Sequence, residues 1–259
     1  MTANLNKAHA VNTIAWMNSL LTEARPALFF GQELRLSQAQ QFAASSGYHL
    51  ISPQISNPRW WMGSWILVRD DLTVEEDHHE YWSRFECYVA AGMVTLPELG
   101  NVRVVSAHAS PKLVTTDVLS MWGDDLPGGR AGPTGRANAL RYADLVLHAI
   151  GTTSMKGTLL AAGDFNESRH YDEPLGKQFF ELVHQSNLID VTYSRWGHEK
   201  QTHFDPRHPQ LQVDHVFATP DINQLVVDAP RLDPLWMSPE SRVDRSDHAP
   251  VWFKLATSA

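Results

Sequence analysis

The tetrapeptide Gly163-Asp164-Phe165-Asn166 carries residue types that suit chemistry at phosphorus. It follows the apolar run of residues 158–162, which is typical of a buried strand, so Asp164 and Asn166 would emerge together at that strand's carboxyl end. There the Asp164 carboxylate could accept hydrogen bonds from a water, and the Asn166 amide could donate one to a phosphate oxygen. The tetrapeptide therefore favours attack of water on a phosphoester.

A second polar segment, Ser246-Asp247-His248, lies just before the last predicted strand. Asp247 offers a carboxylate of the kind that binds hard divalent cations, and His248 offers an imidazole that can exchange a proton near neutral pH. An isolated Asp-His pair is common by chance, and its ordinary role is in the turn that begins a strand. Taken together with the tetrapeptide, the pair indicates metal-assisted hydrolysis.

Three further polar residues lie within or at the ends of predicted strands. Glu33 ends one apolar strand and His108 follows another; taken singly, these are ordinarily a solvated edge residue and a core or turn histidine. Asp214 interrupts an apolar segment, and burying an unpaired carboxylate costs roughly several kcal/mol, so we expect it to have a partner. His248 is the natural candidate. The ordered set, more than any single member, predicts a functional site.

Strands and helices alternate along the chain, and the candidate site residues repeatedly follow strands. The predicted strands comprise residues 2–6, 27–31, 65–68, 86–91, 102–107, 158–162, 211–217 and 249–255, and the predicted helices comprise residues 13–24, 37–46, 136–150 and 177–186. This order is typical of a layered α/β sandwich with a site along one sheet edge. We expect one domain over residues 1–259, because both ends of the chain contribute candidate site residues.

The overall charge limits how a nucleic acid could be bound. A formal net charge of -8 and a pI near 5.9 give no basic face for wrapping duplex DNA. A bound divalent cation could itself supply positive charge against a phosphodiester, so the acidity leaves a nuclease open. The single cysteine, Cys87, excludes an intramolecular disulfide and a zinc site built of several thiolates.

The first residues lack a basic segment followed by an apolar one, and no apolar stretch approaches the length of a membrane span. We therefore expect a cytoplasmic protein with no membrane span. Export without a signal would leave the same sequence, so that alternative stays open. The oligomeric state is likewise left open by the sequence.

The ordered series of these residues resembles the endonuclease/exonuclease/phosphatase superfamily, which contains deoxyribonuclease I, exonuclease III-type repair nucleases, sphingomyelinases and inositol polyphosphate 5-phosphatases. The series comprises Asn4, Gln32-Glu33, His108, Gly163 to Asn166, Asp214 and Ser246 to His248, and it spans nearly the whole chain. The resemblance implies a four-layer α/β-sandwich, with two mixed sheets packed face to face and helices outside. It also implies phosphoester hydrolysis that depends on Mg²⁺ or Mn²⁺.

The resemblance further implies a role for each residue. The metal ion would be held by Glu33, Asp247 and Asn4. The catalytic residues would be His108, Asp164, Asn166, Asp214 and His248, and the substrate would contact Asn4, Asn166 and Thr202. In this scheme Asp164 orients or deprotonates the attacking water, and His248, held by Asp214, is the second proton-transfer group. His108 would donate to a phosphate oxygen or to the leaving group.

The sequence departs from particular branches of the superfamily at His108. Exonuclease III-type enzymes usually have tyrosine at this position, and the string His108-Ala109-Ser110-Pro111 is closer to deoxyribonuclease I and the sphingomyelinases. Deoxyribonuclease I also pairs this histidine with a glutamate on the preceding hairpin, whereas residues 62–65 of this chain contain no acid.

Other polar and aromatic groups give weaker indications. Trp60 and Trp61 could stack on bases, although core packing is at least as common a role. Arg130, Arg136 and Arg141 could contact a phosphate chain, although such residues more often lie on a solvated face. His203 with His208 lacks the cysteine partner or the helical His-Glu-x-x-His pattern that would predict a zinc site.

The activity favoured by these observations is that of a magnesium-dependent nuclease, which cleaves phosphodiester bonds by attack of activated water. One alternative is a phosphatase or phosphodiesterase that acts on a small metabolite or a phospholipid headgroup. Another is a non-catalytic binding module on the same fold, which loss of acidic or histidine positions would favour. These positions are all present, so we prefer an enzyme whose partner is a nucleic acid or another phosphoester substrate.

Overall fold

The computed structural model describes residues 1–5, 11–53, 63–85, 87–122, 125, 140–155, 157–171, 175–204, 211–236 and 246–256. The strands are β1 (Thr2–Asn4), β2 (Leu28–Leu34), β3 (Tyr48–Ile51), β4 (Gly63–Arg69), β5 (Thr73–Glu76), β6 (Val89–Leu96), β7 (Gly100–His108), β8 (Leu159–Asp164), β9 (Ile189–Asp190), β10 (Asp214–Ala218), β11 (Arg231–Leu232) and β12 (Val251–Trp252). The α-helices are α1 (Val11–Ser19), α2 (Leu36–Ser46), α3 (Thr116–Trp122), α4 (Tyr142–Ser154), α5 (Leu175–Gln185), α6 (Val191–Trp196) and α7 (Pro220–Leu225).

The strands form two six-stranded mixed sheets. The first has the order β11-β12-β1-β2-β4-β3, and the second has the order β5-β6-β7-β8-β10-β9. Each sheet contains one parallel pair, β1 with β2 and β7 with β8. The remaining strand pairs that the structure describes are antiparallel. Since parallel strands end at the same sheet edge, each parallel pair delivers two successive strand ends to one place.

The sheets pack face to face with helices on their outer sides, because strands such as β8 are apolar on both faces. Leu160 and Ala162 of β8 join the hydrophobic cluster between the two sheets. Leu159 and Ala161 point to the opposite face and join the cluster that includes residues of α4 and α5. A third cluster covers the outer face of the first sheet with residues of α1 and α2. The expected four-layer α/β arrangement is therefore confirmed.

The predicted elements are present, with shifted limits. The helix predicted over residues 37–46 is α2, and Gly47 ends it in the left-handed region at φ 72°, with its N–H donating to the Ala43 carbonyl. The long helix predicted from residue 136 is α4, which begins at Tyr142 after the extended Arg141. Residues 136–139 lie outside the described residues. The strand predicted over residues 249–255 is reduced to the two residues of β12. Among the described residues, no helix is long and apolar enough to cross a membrane.

Candidate active site

Asp164 lies at the centre of a group of polar side chains contributed by both sheets. It ends β8, and its neighbours across the second sheet are His108 of β7 on one side and Asp214 of β10 on the other. From the first sheet, Asn4 of β1 places its Nδ2 3.0 Å from Asp164 Oδ2. The same nitrogen is 3.4 Å from Oε1 of Glu33, on β2. Asn4 and Asp164, which are 160 positions apart in the sequence, thus meet in one cleft.

The Asp164 carboxylate is held by amides and approached by two imidazoles. Its Oδ1 accepts the backbone N–H of Asn166 at 2.8 Å, and its Oδ2 accepts the Asn166 side-chain amide at 3.2 Å. Nε2 of His108 and Nε2 of His248 lie 3.9 Å and 3.8 Å from the same Oδ2. Burial raises the pKa of Asp164 above its usual value and outweighs the opposing charge of His248.

The tetrapeptide of residues 163–166 has this geometry because each member has a distinct local role. Gly163 has a φ of 153° and lies so close to β7 that a Cβ atom would clash with the Ala107 carbonyl oxygen. Phe165 is fully buried in the outer core, where its ring contacts that of Phe179. Asn166 adopts a left-handed φ of 50°. The left-handed turn at Asn166 lets this residue bend back onto Asp164, and the buried Phe165 ring anchors the end of β8.

Glu33 reaches the cleft because β2 bulges. The pairing of β2 with β4 shifts register between Gly31 and Leu34, and Glu33 within the bulge has a left-handed φ of 55°. A non-glycine residue in this region costs on the order of 1 kcal/mol, and such strain clusters at functional sites. The bulge brings Glu33 Oε1 to 3.4 Å from His108 Nε2. His108 therefore has an acidic partner on β2, where the sequence had suggested none.

His248 is oriented by a carboxylate and by the chain around it. Its Nδ1 lies 2.9 Å from Asp214 Oδ2, which is the partner predicted for Asp214. Its backbone N–H donates to Ser246 Oγ at 3.1 Å, and that hydroxyl donates to the Asn4 carbonyl at 2.7 Å. Burial opposes a charge on His248, but Asp214 and then Asp164 overcome it and raise the pKa of the imidazole to about 10. The imidazole therefore carries a proton at neutral pH.

The donor set of the cleft fits a hard divalent cation. Glu33, Asp164, Asp214 and Asp247 bring carboxylate oxygens to one region, and Oδ1 of Asp214 is buried with no hydrogen-bond partner within the described part of the chain. Carboxylate oxygens are the preferred ligands of Mg²⁺ and Mn²⁺. Glu33 and Asp247 could hold such an ion, since their carboxylates are more exposed than those of Asp164 and Asp214.

The side-chain amides of Asn4 and Asn166, which were predicted to contact metal or substrate, donate to other protein groups in this structure. Asn4 is buried, and its amide nitrogen donates to Asp164 and Glu33. The Asn166 amide nitrogen donates to Asp164 and to the Ala109 carbonyl at 2.9 Å. Both amides therefore orient carboxylates in this structure. Their contacts with metal or substrate stay predictions.

Thr202 takes part in the framework beneath the cleft. Its side chain is fully buried, and its hydroxyl oxygen accepts the backbone N–H groups of Val213 at 3.0 Å and Asp214 at 3.1 Å. Thr202 thus supports the start of β10, from which Asp214 projects towards His248. Its contact with a phosphate stays a prediction.

Sequence reasoning missed the support of the site by Gln32 and the placement of His203. Gln32 is fully buried and donates to Ser106 Oγ at 2.9 Å, and that hydroxyl donates to the Gly31 carbonyl at 3.2 Å, which ties the two sheets together behind the cleft. His203 lies beside Asp247, with 3.6 Å between its Nε2 and the Asp247 Oδ2. In the sequence, the position of His203 next to Thr202 was the signal that could have placed it near the site.

The remaining basic and aromatic candidates do not add to the described cleft. Arg141 is buried at the start of α4, and its Nη1 lies 3.0 Å from both carboxylate oxygens of Glu167. That ion pair fixes the loop after β8 and replaces the suggested phosphate contact. Trp60, Trp61, Arg130 and Arg136 lie outside the described residues.

Comparison with known proteins agrees with this arrangement. A model of the Endonuclease/Exonuclease/phosphatase family matches residues 1–248. The chain belongs to this family. Membership supports a phosphoester hydrolase, because the fold and the ordered residues of the cleft extend over the matched region. No curated protein matches the sequence.

Several solved structures share the fold of this family member. A 3′ phosphatase, NExo, from Neisseria, bound to a product DNA hairpin, is 17% identical with a TM-score of 0.66, and the match covers 98% of each chain. An AP endonuclease from Archaeoglobus fulgidus is 14% identical with a TM-score of 0.65, covering 98% of this chain and 97% of the other. The AP endonuclease LMAP from Leishmania major is 14% identical with a TM-score of 0.66, covering 97% and 85%.

Proposed function

We propose that this protein is a divalent-metal-dependent phosphoester hydrolase, and more specifically a nuclease that cleaves phosphodiester bonds by attack of an activated water. The observation that carries the proposal is the convergence on Asp164 of amides and imidazoles from both sheets, with Glu33 and Asp247 at the same cleft. Family membership supports hydrolysis of phosphoesters.

In the proposed reaction Glu33 and Asp247 would hold a Mg²⁺ or Mn²⁺ ion, with Asn4 positioning the Glu33 carboxylate. When bound, the ion supplies Lewis-acid stabilisation of the negative charge that develops on the phosphate oxygens. The protein's main contribution is then to position groups around charge that develops in the transition state.

Asp164 orients and deprotonates the attacking water. Its carboxylate cannot rotate freely, because Asn4 and Asn166 hold its oxygens. Burial raises its pKa, which makes the carboxylate a stronger base towards water than an exposed aspartate.

His248 and His108 act on the phosphate and the leaving group. With its pKa raised to about 10, His248 is protonated at neutral pH and donates from Nε2, while Asp214 holds Nδ1. His108, on the other side of Asp164, donates to a phosphate oxygen. The cleft thus contains one base, the Asp164 carboxylate, flanked by two proton donors, His108 and His248.

A nucleic acid is the proposed substrate. The neighbours include a 3′ phosphatase bound to product DNA and two AP endonucleases, and this supports DNA or RNA over a small metabolite or a phospholipid headgroup. The net charge of -8 implies that the nucleic acid is held locally around the cleft.

The proposal is tested by assaying metal-stripped protein, with and without Mg²⁺ or Mn²⁺, on plasmid DNA, RNA, oligonucleotides with a 3′ phosphate, and bis-p-nitrophenyl phosphate. We expect Glu33→Gln and His248→Asn to lower the rate by about 10²-fold or more, because each removes a group needed in the transition state. His78→Ala is the matched control, because this exposed imidazole also pairs with a carboxylate, that of Glu76 at 3.4 Å.

Three outcomes would contradict parts of the proposal. Undiminished activity of both site variants would show that the cleft is misassigned. Full activity in the presence of a chelator would show that the reaction does not require a metal ion. Turnover of small phosphoesters without turnover of any nucleic acid would replace the nuclease by the alternative phosphodiesterase or phosphatase.

A further inference from the structure

Two imidazoles and one carboxylate, those of His203, His248 and Asp247, meet at the rim of the cleft. Nε2 of His203 is 3.6 Å from Asp247 Oδ2, and Nε2 of His248 is 4.0 Å from Asp247 Oδ1. The ring centroids of His203 and His248 are 4.7 Å apart. One donor atom from each of the three residues lies within 4.8 Å of the others.

The main chain holds these donors together. His203 and His248 face each other across an isolated antiparallel bridge. The bridge is flanked by hydrogen bonds from the Phe204 N–H to the Asp247 carbonyl at 2.8 Å and from the Ala249 N–H to the Thr202 carbonyl at 2.7 Å. Directly opposed residues in such a pair have neighbouring side chains on one face. The convergence therefore does not depend on the side chains themselves.

The donors are those of a transition-metal site. Imidazole nitrogen suits Zn²⁺, Ni²⁺, Cu²⁺ and Fe²⁺, whereas Mg²⁺ prefers oxygen ligands alone. Zn²⁺ binds nitrogen and oxygen at about 2.0–2.2 Å, which sets donors about 3.3 Å apart. The present separations, which are within 4.8 Å, therefore need to close by at most about 1.5 Å. The Asp247 and His203 side chains are 47% and 27% exposed, so an ion can enter and keep water ligands.

We propose that His203, Asp247 and His248 form a binding site for a first-row transition-metal ion, typified by Zn²⁺, at the rim of the cleft. The site differs from a zinc site made by His203 with His208, because its other donors come from the segment before β12. An ion bound there takes Nε2 of His248 and releases the proton of that nitrogen to solvent. Where the proposed hydrolysis holds, that ion inhibits it, because the same nitrogen donates to the phosphate or the leaving group.

Binding is tested without substrate, on metal-stripped full-length protein titrated with Zn²⁺ against a chromophoric zinc chelator. We expect a site of one ion per chain in the parent and an affinity about tenfold or more lower in both His203→Ala and His203→Gln. His78→Ala should bind like the parent, because its imidazole has one carboxylate partner, that of Glu76. Thermal unfolding without metal checks that the variants are folded, and the backbone bridge should survive them.

Co²⁺ gives an independent readout, since ligation by nitrogen changes its visible absorption. The parent and His78→Ala should show the change, and His203→Ala should lose it. Equal affinity for Zn²⁺ in the parent and both His203 variants would overturn the proposed site, as would a parent that binds no Zn²⁺.

The inhibitory consequence has a separate test. Zn²⁺ added to the Mg²⁺-supported reaction should inhibit the parent, and the concentration for half-inhibition should rise in His203→Ala in proportion to the lost affinity. If the parent binds Zn²⁺ through His203 but hydrolyses no substrate, the proposed hydrolysis would be contradicted and the proposed metal site would be supported. Inhibition that is unchanged in His203→Ala would overturn the link between the site and inhibition.

Discussion

At the scale of single residues, the cleft depends on side chains held in costly states. Asp164 is buried beside Asp214, and Glu33 and Asn166 both have left-handed backbones. Each state lowers stability unless other contacts compensate for it, and strain of this kind clusters where function requires it. The amides of Asn4 and Asn166 provide part of that compensation at Asp164.

The types of residue in the cleft could be predicted from the sequence, but their backbone conformations and burial could not. The order of acids, amides and histidines after strands indicated the site, and the pairing of Asp214 with His248 followed from the cost of burying an acid alone. The bulge that turns Glu33 towards the cleft left no mark in the sequence, because it depends on the register of β2 with β4. The burial of Thr202 and the approach of His203 likewise depend on long-range pairing.

The Asp214 carboxylate sets the tautomer and orientation of His248. Replacing it by Asp214→Asn should lower kcat by about 10²-fold or more while KM changes less, because the imidazole is then free to turn or to change tautomer. The hydrogen-bonded Nδ1 proton of His248 should also lose its downfield shift in proton NMR spectra of the metal-free protein. Asp228→Asn, on an exposed acid, is the control. A variant with normal kcat and an unchanged Nδ1 signal would contradict the role of Asp214.

At the scale of elements, strand interiors were easier to predict than their limits. The apolar run 158–162 predicted β8, because strands that are covered on both faces read as continuous apolar sequence. β12 is much shorter than the segment predicted from residue 249, because extension of a sheet depends on a paired neighbour and β11 offers only two residues. Short elements such as α6 have too few residues for a periodic pattern to stand out.

The junction of β9, β10 and α6 contains a second buried charged group, centred on Asp190. Its Oδ1 accepts the Tyr193 N–H at 3.0 Å, which caps α6, and its Oδ2 lies 2.9 Å from Arg169 Nη1 and 3.3 Å from His215 Nδ1. Burial alone would raise the pKa of Asp190, but His215 and then Arg169 outweigh burial and lower it below its usual value. The charged form of Asp190 therefore stabilises the fold.

Asp190→Asn should lower the free energy of unfolding by roughly 3–5 kcal/mol at pH 7, because it removes the acid that pairs with the buried His215 and the half-buried Arg169. A carboxyl whose pKa is lowered by folding contributes stability above its unfolded pKa of about 3.9 and loses it as the pH falls below that value. The difference between parent and variant should therefore shrink from about pH 4 downwards. Urea unfolding from pH 3 to 7 measures it, with Asp228→Asn as the exposed control. A difference that stays constant over this range would contradict the assignment.

At the scale of the whole molecule, the site exists because two sheets packed face to face bring polar strand ends together. Asn4 and Glu33 come from the first sheet, whereas His108, Asp164 and Asp214 come from the second. We propose that the chain forms one domain, since neither sheet alone carries the complete set. The layered architecture followed from the alternation of strands and helices, but the packing of one sheet on the other required the family resemblance.

The acidity of the molecule gives a metal ion a central place in the account. A cleft with four carboxylates in a chain of net charge -8 would repel a phosphodiester unless a cation were bound there. The central claim is therefore that Glu33 and Asp247 hold one divalent ion beside Asp164.

Anomalous diffraction from crystals soaked in Mn²⁺ tests that claim most directly. We expect a manganese peak at about 2.2 Å from a Glu33 carboxylate oxygen, with Asp247 as a further ligand. The peak should be lost in Glu33→Gln. A peak bound only by the imidazole of His203, or no peak at all at Glu33, would contradict the claim.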